Sequence, residues 1–396
     1  MFHVKQQWRR ALPLLLLSLV VLGCGGTVGA SGWAPPVRSE DTLLVATDRG
    51  QLEAIDVESG AILWRFPDQW LLDKSADDLE GLYSPPVLAP GADGGAIYLG
   101  DYNGRLYIFD PADLDRAAPA AGFVDLGDKI IGGLALDEAT DTLFLTSGDR
   151  LVALKASDLL RPSQLPEIAQ YYRFPPFQTT GELWGAPVVG DDDVFVASLD
   201  GNLYAVDRLT GAESWRFKAG AALVSAPVVA ADTVLVGGFN SRLHAIDVAN
   251  GEERWSFKAA NWVWSRPVVA GGNVYIADFD GNVHGLSFET GLPLWEPFRA
   301  KGRVRAGLAL VDDVLIVATE DGAVYGVVST TGALSWGPID LGASVLADVV
   351  GEGASALIVS AKCKDKEIIG GKRKINYYRI DAATGSAEEI LAQVGC

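Results

Sequence analysis

Imidazole, thiol and carboxylate groups are the ones that hold metals or attack substrates, and in this chain they are sparse or scattered. It has three histidines and three cysteines in 396 residues. His244 and His284 each fall at the same place in a recurring apolar phrase, where sister copies carry Glu53, Tyr107, Tyr204 and Tyr325. A zinc site needs about four such groups converging on one point, so the pattern points to two strand-face residues and not a ligand pair. Aspartates are plentiful, but they recur at the turns of that phrase and do not gather into the oxygen cage that calcium takes. Neither a glycine-rich phosphate loop nor a Ser/His/Asp grouping stands out. The sequence therefore assigns no catalytic residue, no metal and no cofactor, and the chemistry to look for is binding.

The recurring phrase decides which elements position those side chains. Its second half reads Ala-x-Asp-x-x-(Ser/Thr/Asn)-Gly-x-x-x-Trp. It occurs at Ala54, Asp56, Ser59, Gly60 and Trp64, again at Ala205, Asp207, Thr210, Gly211 and Trp215, and again at Ala245, Asp247, Asn250, Gly251 and Trp255. Weaker copies run from Gly285 to Trp295 and from Gly326 to Trp336, and Asp381 with Thr384 and Gly385 keeps the turn without the Trp. Its first half is a short apolar strand, often Pro-Val-Val. The aligned positions are Pro36, Pro86, Leu134, Pro187, Pro227, Pro267, Leu308 and Asp348, at intervals of 50, 48, 53, 40, 40, 41 and 40 residues. Eight units of about 40 residues match the period of four-stranded propeller blades.

Within one unit, strands are expected at 226–229, 233–237, 243–247 and 253–257, with a turn at 239–241 and a tight turn at Asn250-Gly251. Asn and Gly tolerate the positive φ such a turn needs. A lone four-stranded sheet leaves both faces wet, and radial stacking buries them. The fold class expected is all-β, an eight-bladed β-propeller of four-stranded antiparallel blades. The repeated tryptophans are expected between blades, each ring contributing roughly 1.5–3 kcal/mol on burial.

The Asp-x-x-Thr-Gly-x-x-x-Trp phrase and the Pro-Val-Val strand resemble the pyrroloquinoline-quinone (PQQ) repeat, over residues 34 to 396. That family holds both quinoprotein dehydrogenases and non-enzymatic lipoproteins, and length, blade count and N-terminus here resemble the BamB type of outer-membrane assembly lipoprotein. The resemblance implies a monomeric scaffold that binds protein partners, among them β-barrel assembly components. The dehydrogenases carry an adjacent cysteine pair, a calcium and a catalytic aspartate, and this chain has no Cys-Cys pair. A PQQ-dependent dehydrogenase and a cell-surface glycan- or peptide-binding lipoprotein stand as alternatives.

The N-terminus reads as a targeting segment over residues 1–23. Lys5, Arg9 and Arg10 precede an apolar run over 12–22, eleven residues and so shorter than the ~20 that span a bilayer. The run ends in Val21-Leu22-Gly23-Cys24, which resembles a bacterial lipobox, the alternative being an ordinary secretion signal. The resemblance implies cleavage before Cys24 and lipidation of its sulfur, with residues 24–33 as a linker. Several acyl chains make a stable anchor. The place expected is the cell envelope, at the periplasmic face of an outer membrane or the extracellular face of a cytoplasmic one, and Gly25 after the cysteine is compatible with the former. A net charge of −19 argues against a nucleic-acid partner.

The residue before each innermost strand should ring one mouth of the channel. In register these are Trp33, Tyr83, Ile131, Trp184, Val224, Trp264, Arg305 and Val345, with Lys129, Trp262 and Arg303 two residues earlier in three blades. Aromatic and Arg side chains are enriched in binding hot spots, so Trp33, Tyr83, Trp184, Trp262, Trp264, Arg303 and Arg305 are the partner-binding candidates. The bland reading is that they plug the channel. Two insertions, 67–80 and 156–183, carry apolar residues that either engage a partner or fold back. Lys362, Lys364, Lys366, Lys372, Arg373 and Lys374 form a basic hairpin, most simply a solvated turn. Cys363 begins it, and a last strand ending on the same side would bring Cys396 to Cys363 for a disulfide, which an exported chain permits.

Overall fold

The computed structural model describes residues 34–39, 41–46, 51–57, 59–66, 81–90, 95–109, 123–159, 168–362 and 374–392. Eight antiparallel sheets follow one another along the chain, and we call them blades 1 to 8: residues 37–66, 87–125, 133–178, 188–218, 228–258, 268–299, 309–340 and 344–392. In each of the first seven, four strands pair in chain order from the innermost to the outermost. Blade 5 runs Val228–Ala230, Thr233–Gly237, Arg242–Asp247 and Glu253–Lys258, close to the strands its sequence predicts. The all-β, eight-bladed expectation is borne out. Blade 8 has a fifth strand: both Val350–Glu352 and Ser344–Val345 line the same edge of the eight-residue strand Ser355–Lys362.

Blades bury each other, as a two-sided apolar sheet requires. Eight apolar clusters among the described residues each sit between neighbouring blades. The ring closes by packing: Leu43, Val45 and Ile55 of blade 1 meet Ala347, Leu357, Val359 and Tyr377 of blade 8, and Arg38 pairs with Glu352 across the same seam. Each blade's described strands come from one continuous stretch of chain.

The repeated Trp and Gly turn out to be partners across blades. Trp215, Trp255, Trp295 and Trp336 donate their indole N–H to the carbonyls of Val248, Phe288, Ser329 and Ala382 in the next blade, at 2.9, 2.9, 3.0 and 2.7 Å. A Cβ on Gly251, Gly291, Gly332 or Gly385 would stand 2.4–2.6 Å from the ring of that same Trp. The glycine is thus needed twice, for its positive φ (73° at Gly251) and for the ring lying against it. The aspartate braces the turn, as Asp207 does by accepting from the Thr210 N–H and hydroxyl, both at 2.7 Å.

Blade 3 has no Trp, and the insertion supplies the substitute. Phe174 is buried and its ring would meet a Cβ on Gly211 at 2.2 Å, the slot that tryptophan fills elsewhere. Leu159 and Tyr171 are buried in the cluster between blades 2 and 3. The described part of the 156–183 insertion therefore folds back on the propeller, because its apolar residues complete a repeat that lacks its own ring. It does not present those side chains to a partner.

The histidines occupy one register position in adjacent blades, His244 opposite Val236 and His284 opposite Ile276, where Glu53, Tyr107, Tyr204 and Tyr325 stand in sister blades. Each is capped by a Phe from the preceding blade: Phe217 lies 5.2 Å from His244 and Phe257 5.0 Å from His284, as Phe177 lies 5.5 Å from Tyr204. Among the described residues no group of three His, Cys, Asp or Glu is placed to hold a metal ion.

Candidate functional site at the channel mouth

The described leaders before the blades alternate buried side chains with more accessible ones. Leu82, Leu183, Leu223, Val263 and Val304 point inward and are fully or almost fully buried. The residue after each (Tyr83, Trp184, Val224, Trp264, Arg305) occupies the mouth position. In blade 8 the reading needs correcting by one residue. Val350 pairs with Leu357 as Ala309 pairs with Ile316, so half-buried Leu346 holds the mouth position. Val345 is fully buried, like Val304. No Pro-Val-Val marks the blade 8 strand, and Asp348 displaced the alignment.

Two groups of side chains line the mouth. In blades 2 to 4, Tyr83 packs with a tilted ring against Tyr102 at 5.6 Å, Lys129 lies 5.8 Å over the Tyr102 ring, and Glu182 joins Lys129 (2.9 Å) to the Trp184 indole N–H (2.8 Å). Burial works to raise the Glu182 carboxyl, but the bonds from Trp184 and Lys129 outweigh it and hold it below its usual range. In blades 5 to 7, Trp262 packs against Phe239 (4.7 Å) and Phe279 (5.5 Å), and Trp264 leans on the same two rings at 5.4 and 6.2 Å. Arg305 stacks over Trp264 at 4.3 Å and Arg303 over Phe279 at 5.4 Å.

Burial lowers the Arg305 guanidinium from its usual range, and Glu320 and Tyr83 act against that shift. Tyr83 belongs to blade 2 and Arg305 to blade 7, so their influence on one another reaches across the mouth. Burial raises the Glu320 carboxyl, opposed by Arg305 and Arg303.

The structure gathers these candidates into two groups of touching side chains, with Tyr83 and Trp184 in the first and Trp262, Trp264, Arg303 and Arg305 in the second. Trp33, Cys24, Cys363 and Cys396, the 67–80 connection and most of the basic hairpin lie outside the described residues. Sequence reasoning missed Tyr102, Phe239, Phe279 and Glu320. They share one position, the second residue after the second strand, and a comparison of that turn across repeats (Asp101-Tyr102, Gly238-Phe239, Asp278-Phe279, Thr319-Glu320) would have found them.

The fold is that of a PQQ-type β-propeller. The family described as outer membrane protein assembly factor BamB matches residues 5–117, 176–239 and 199–339, and the chain belongs to that family. Among solved structures, BamB from Moraxella catarrhalis is similar with a TM-score of 0.57 at 19% identity, over 76% of this chain and 94% of that one. The computationally designed Ika8 protein is similar with a TM-score of 0.65 at 14% identity, over 83% and 94%. Both likenesses are likenesses of fold. No curated protein matches the chain.

Proposed function

We propose that the protein is a non-enzymatic scaffold that holds protein partners at its channel mouth, in the assembly of outer-membrane β-barrel proteins. The observation that carries this reading is membership of the assembly-factor family. The mouth supports it with grouped aromatic and arginine side chains, the residue types over-represented in binding hot spots. Its location is the cell envelope. A lipid on Cys24 tethers it there, which leaves the propeller free to turn its mouth toward partners in the aqueous space.

Capture from native membrane tests this. The lipidated protein, cross-linked in place and purified, should bring down a β-barrel assembly component. Recovery of the protein alone, together with quinone-dependent dye reduction after reconstitution with pyrroloquinoline quinone, would select the dehydrogenase reading. Metabolic labelling with a clickable fatty acid should mark the protein, and Cys24→Ser should abolish the label.

A further inference from the structure

The leader of blade 7 differs from its sisters in carrying three cations at alternate positions, Lys301, Arg303 and Arg305. Between Arg303 and Arg305, Val304 points into the core, fully buried. Lys301 and Arg303 are exposed and Arg305 is half-buried, so the cations descend from the rim into the mouth. Beside this lane runs an aromatic one, Trp262 and Trp264 with Phe279. Arg303 makes no ion pair with the described residues. Glu320 is an opposing charge among the described residues that both arginines feel. In a chain of net charge −19, this is a local reversal of sign.

Three ligand chemistries fit an aromatic and cationic strip, and the geometry separates them. A sugar stacks on an open indole face, but Trp262 already packs against Phe239 and Phe279, and Trp264 against Arg305. A membrane surface is flat, and Arg305 lies down inside the mouth, where a flat sheet of headgroups does not reach. A polypeptide that carries both carboxylates and apolar groups meets both lanes at once, because Arg305 and Arg303 lie directly on the rings of Trp264 and Phe279.

We infer that this strip receives a polypeptide segment that carries both carboxylate and apolar side chains, with the carboxylates on Arg303 and Arg305 and the apolar groups against the edges of Trp262, Trp264 and Phe279. The assignment rests on the reading of the mouth as a partner site and names the chemistry of that partner. The acidic body repels acidic chains at long range, so only a segment seated on the strip gains from the arginines. Glu320 competes for the same cations from within the protein.

The test uses the full chain in detergent and fluorescein-labelled peptides of about twelve residues alternating Glu and Val, Lys and Val, or Gln and Val. Anisotropy should show the Glu–Val peptide binding best. Arg303→Glu should weaken it by about tenfold or more, Arg303→Lys should keep most of the binding, and Glu320→Gln should strengthen it by about threefold. Unchanged urea midpoints would show that these variants fold. Equal binding of the Lys–Val peptide overturns the inference, as does indifference to Arg303→Glu, or phosphatidylglycerol vesicles losing affinity with that variant while the peptides do not. If Trp262→Ala loses the Gln–Val peptide and Arg303→Glu changes nothing, the mouth remains a partner site and only its assigned chemistry falls. If no mouth variant alters any peptide, both readings fall.

Discussion

Trp255 and Trp64 occupy the same place in the repeat but not the same chemistry. Trp255 donates to the Phe288 carbonyl, whereas the buried Trp64 Nε1 has no hydrogen-bond partner among the described residues and its ring stacks on Phe109 at 6.1 Å. Trp255→Phe strands a carbonyl and Trp64→Phe strands nothing, so the former should cost about 1 kcal/mol more in a urea titration.

His244 is the residue through which pH should act in the mildly acidic range. Its Nδ1 lies 2.6 Å from Glu253, and its Nε2 lies 2.9 Å from the Asn240 amide, which fits a neutral ring donating from Nδ1 and accepting at Nε2. Burial lowers its affinity for a proton below the ordinary value of 6.5, with Glu253 opposing and Arg242 assisting. The unfolded chain then binds the proton first. The stability contributed by the neutral ring is full above 6.5 and is lost as pH falls below that value. Urea midpoints should therefore drop between about pH 7 and pH 5.5, and His244→Tyr, the residue of sister blades, should flatten that drop.

At the scale of the element, the Asp-x-x-Thr-Gly turn and the Trp belong to different sheets once the chain folds. Gly251 and Gly271 separate the two demands on a turn glycine. Both have positive φ, 73° and 57°, but a Cβ on Gly251 would press on Trp215 at 2.6 Å and one on Gly271 would meet nothing within 4 Å. Gly271→Ala should cost about 1–2 kcal/mol, the left-handed penalty alone. Gly251→Ala should cost more, about 1–3 kcal/mol on top of that penalty, because the Trp215 ring must shift. Equal urea midpoints for the two variants would mean the ring is not held against the glycine. Phe174 makes the same point from the other side, since a blade without its Trp drew a ring from an insertion to fill the slot.

At the scale of the molecule, the ring holds because every blade has two neighbours. Blade 8 covers Leu43, Val45 and Ile55 of blade 1 and Ala309, Val311 and Ile316 of blade 7. A chain ending at residue 341 would expose both faces at once. It should lose the cooperative urea transition and bind a hydrophobic dye, rather than fold as a seven-bladed ring, because the end sheets would no longer bury each other. A cooperative transition near that of the full chain would contradict this. Closure in the described residues comes from apolar packing and the Arg38–Glu352 pair, so Glu352→Gln should weaken the seam by about 1 kcal/mol or less.

By itself the sequence determined the strand periods, the blade count, the turn chemistry and the family, because each is local or repeated. A period-two apolar pattern, an Asp bonded within its own turn and a 40-residue interval are all read along the chain. The shared register of Tyr83, Trp184, Trp264 and Arg305 in the repeat was legible for the same reason. Tertiary structure alone decided that Trp and Gly meet across blades, that the 156–183 insertion supplies the missing ring, and that Leu346 holds the rim position. It alone brought Phe239 and Phe279 against Trp262 and Trp264 and set Arg303 beside them. Those contacts join residues in different repeats, and their distance depends on how far one sheet is rotated from the next, a quantity no spacing along the chain records.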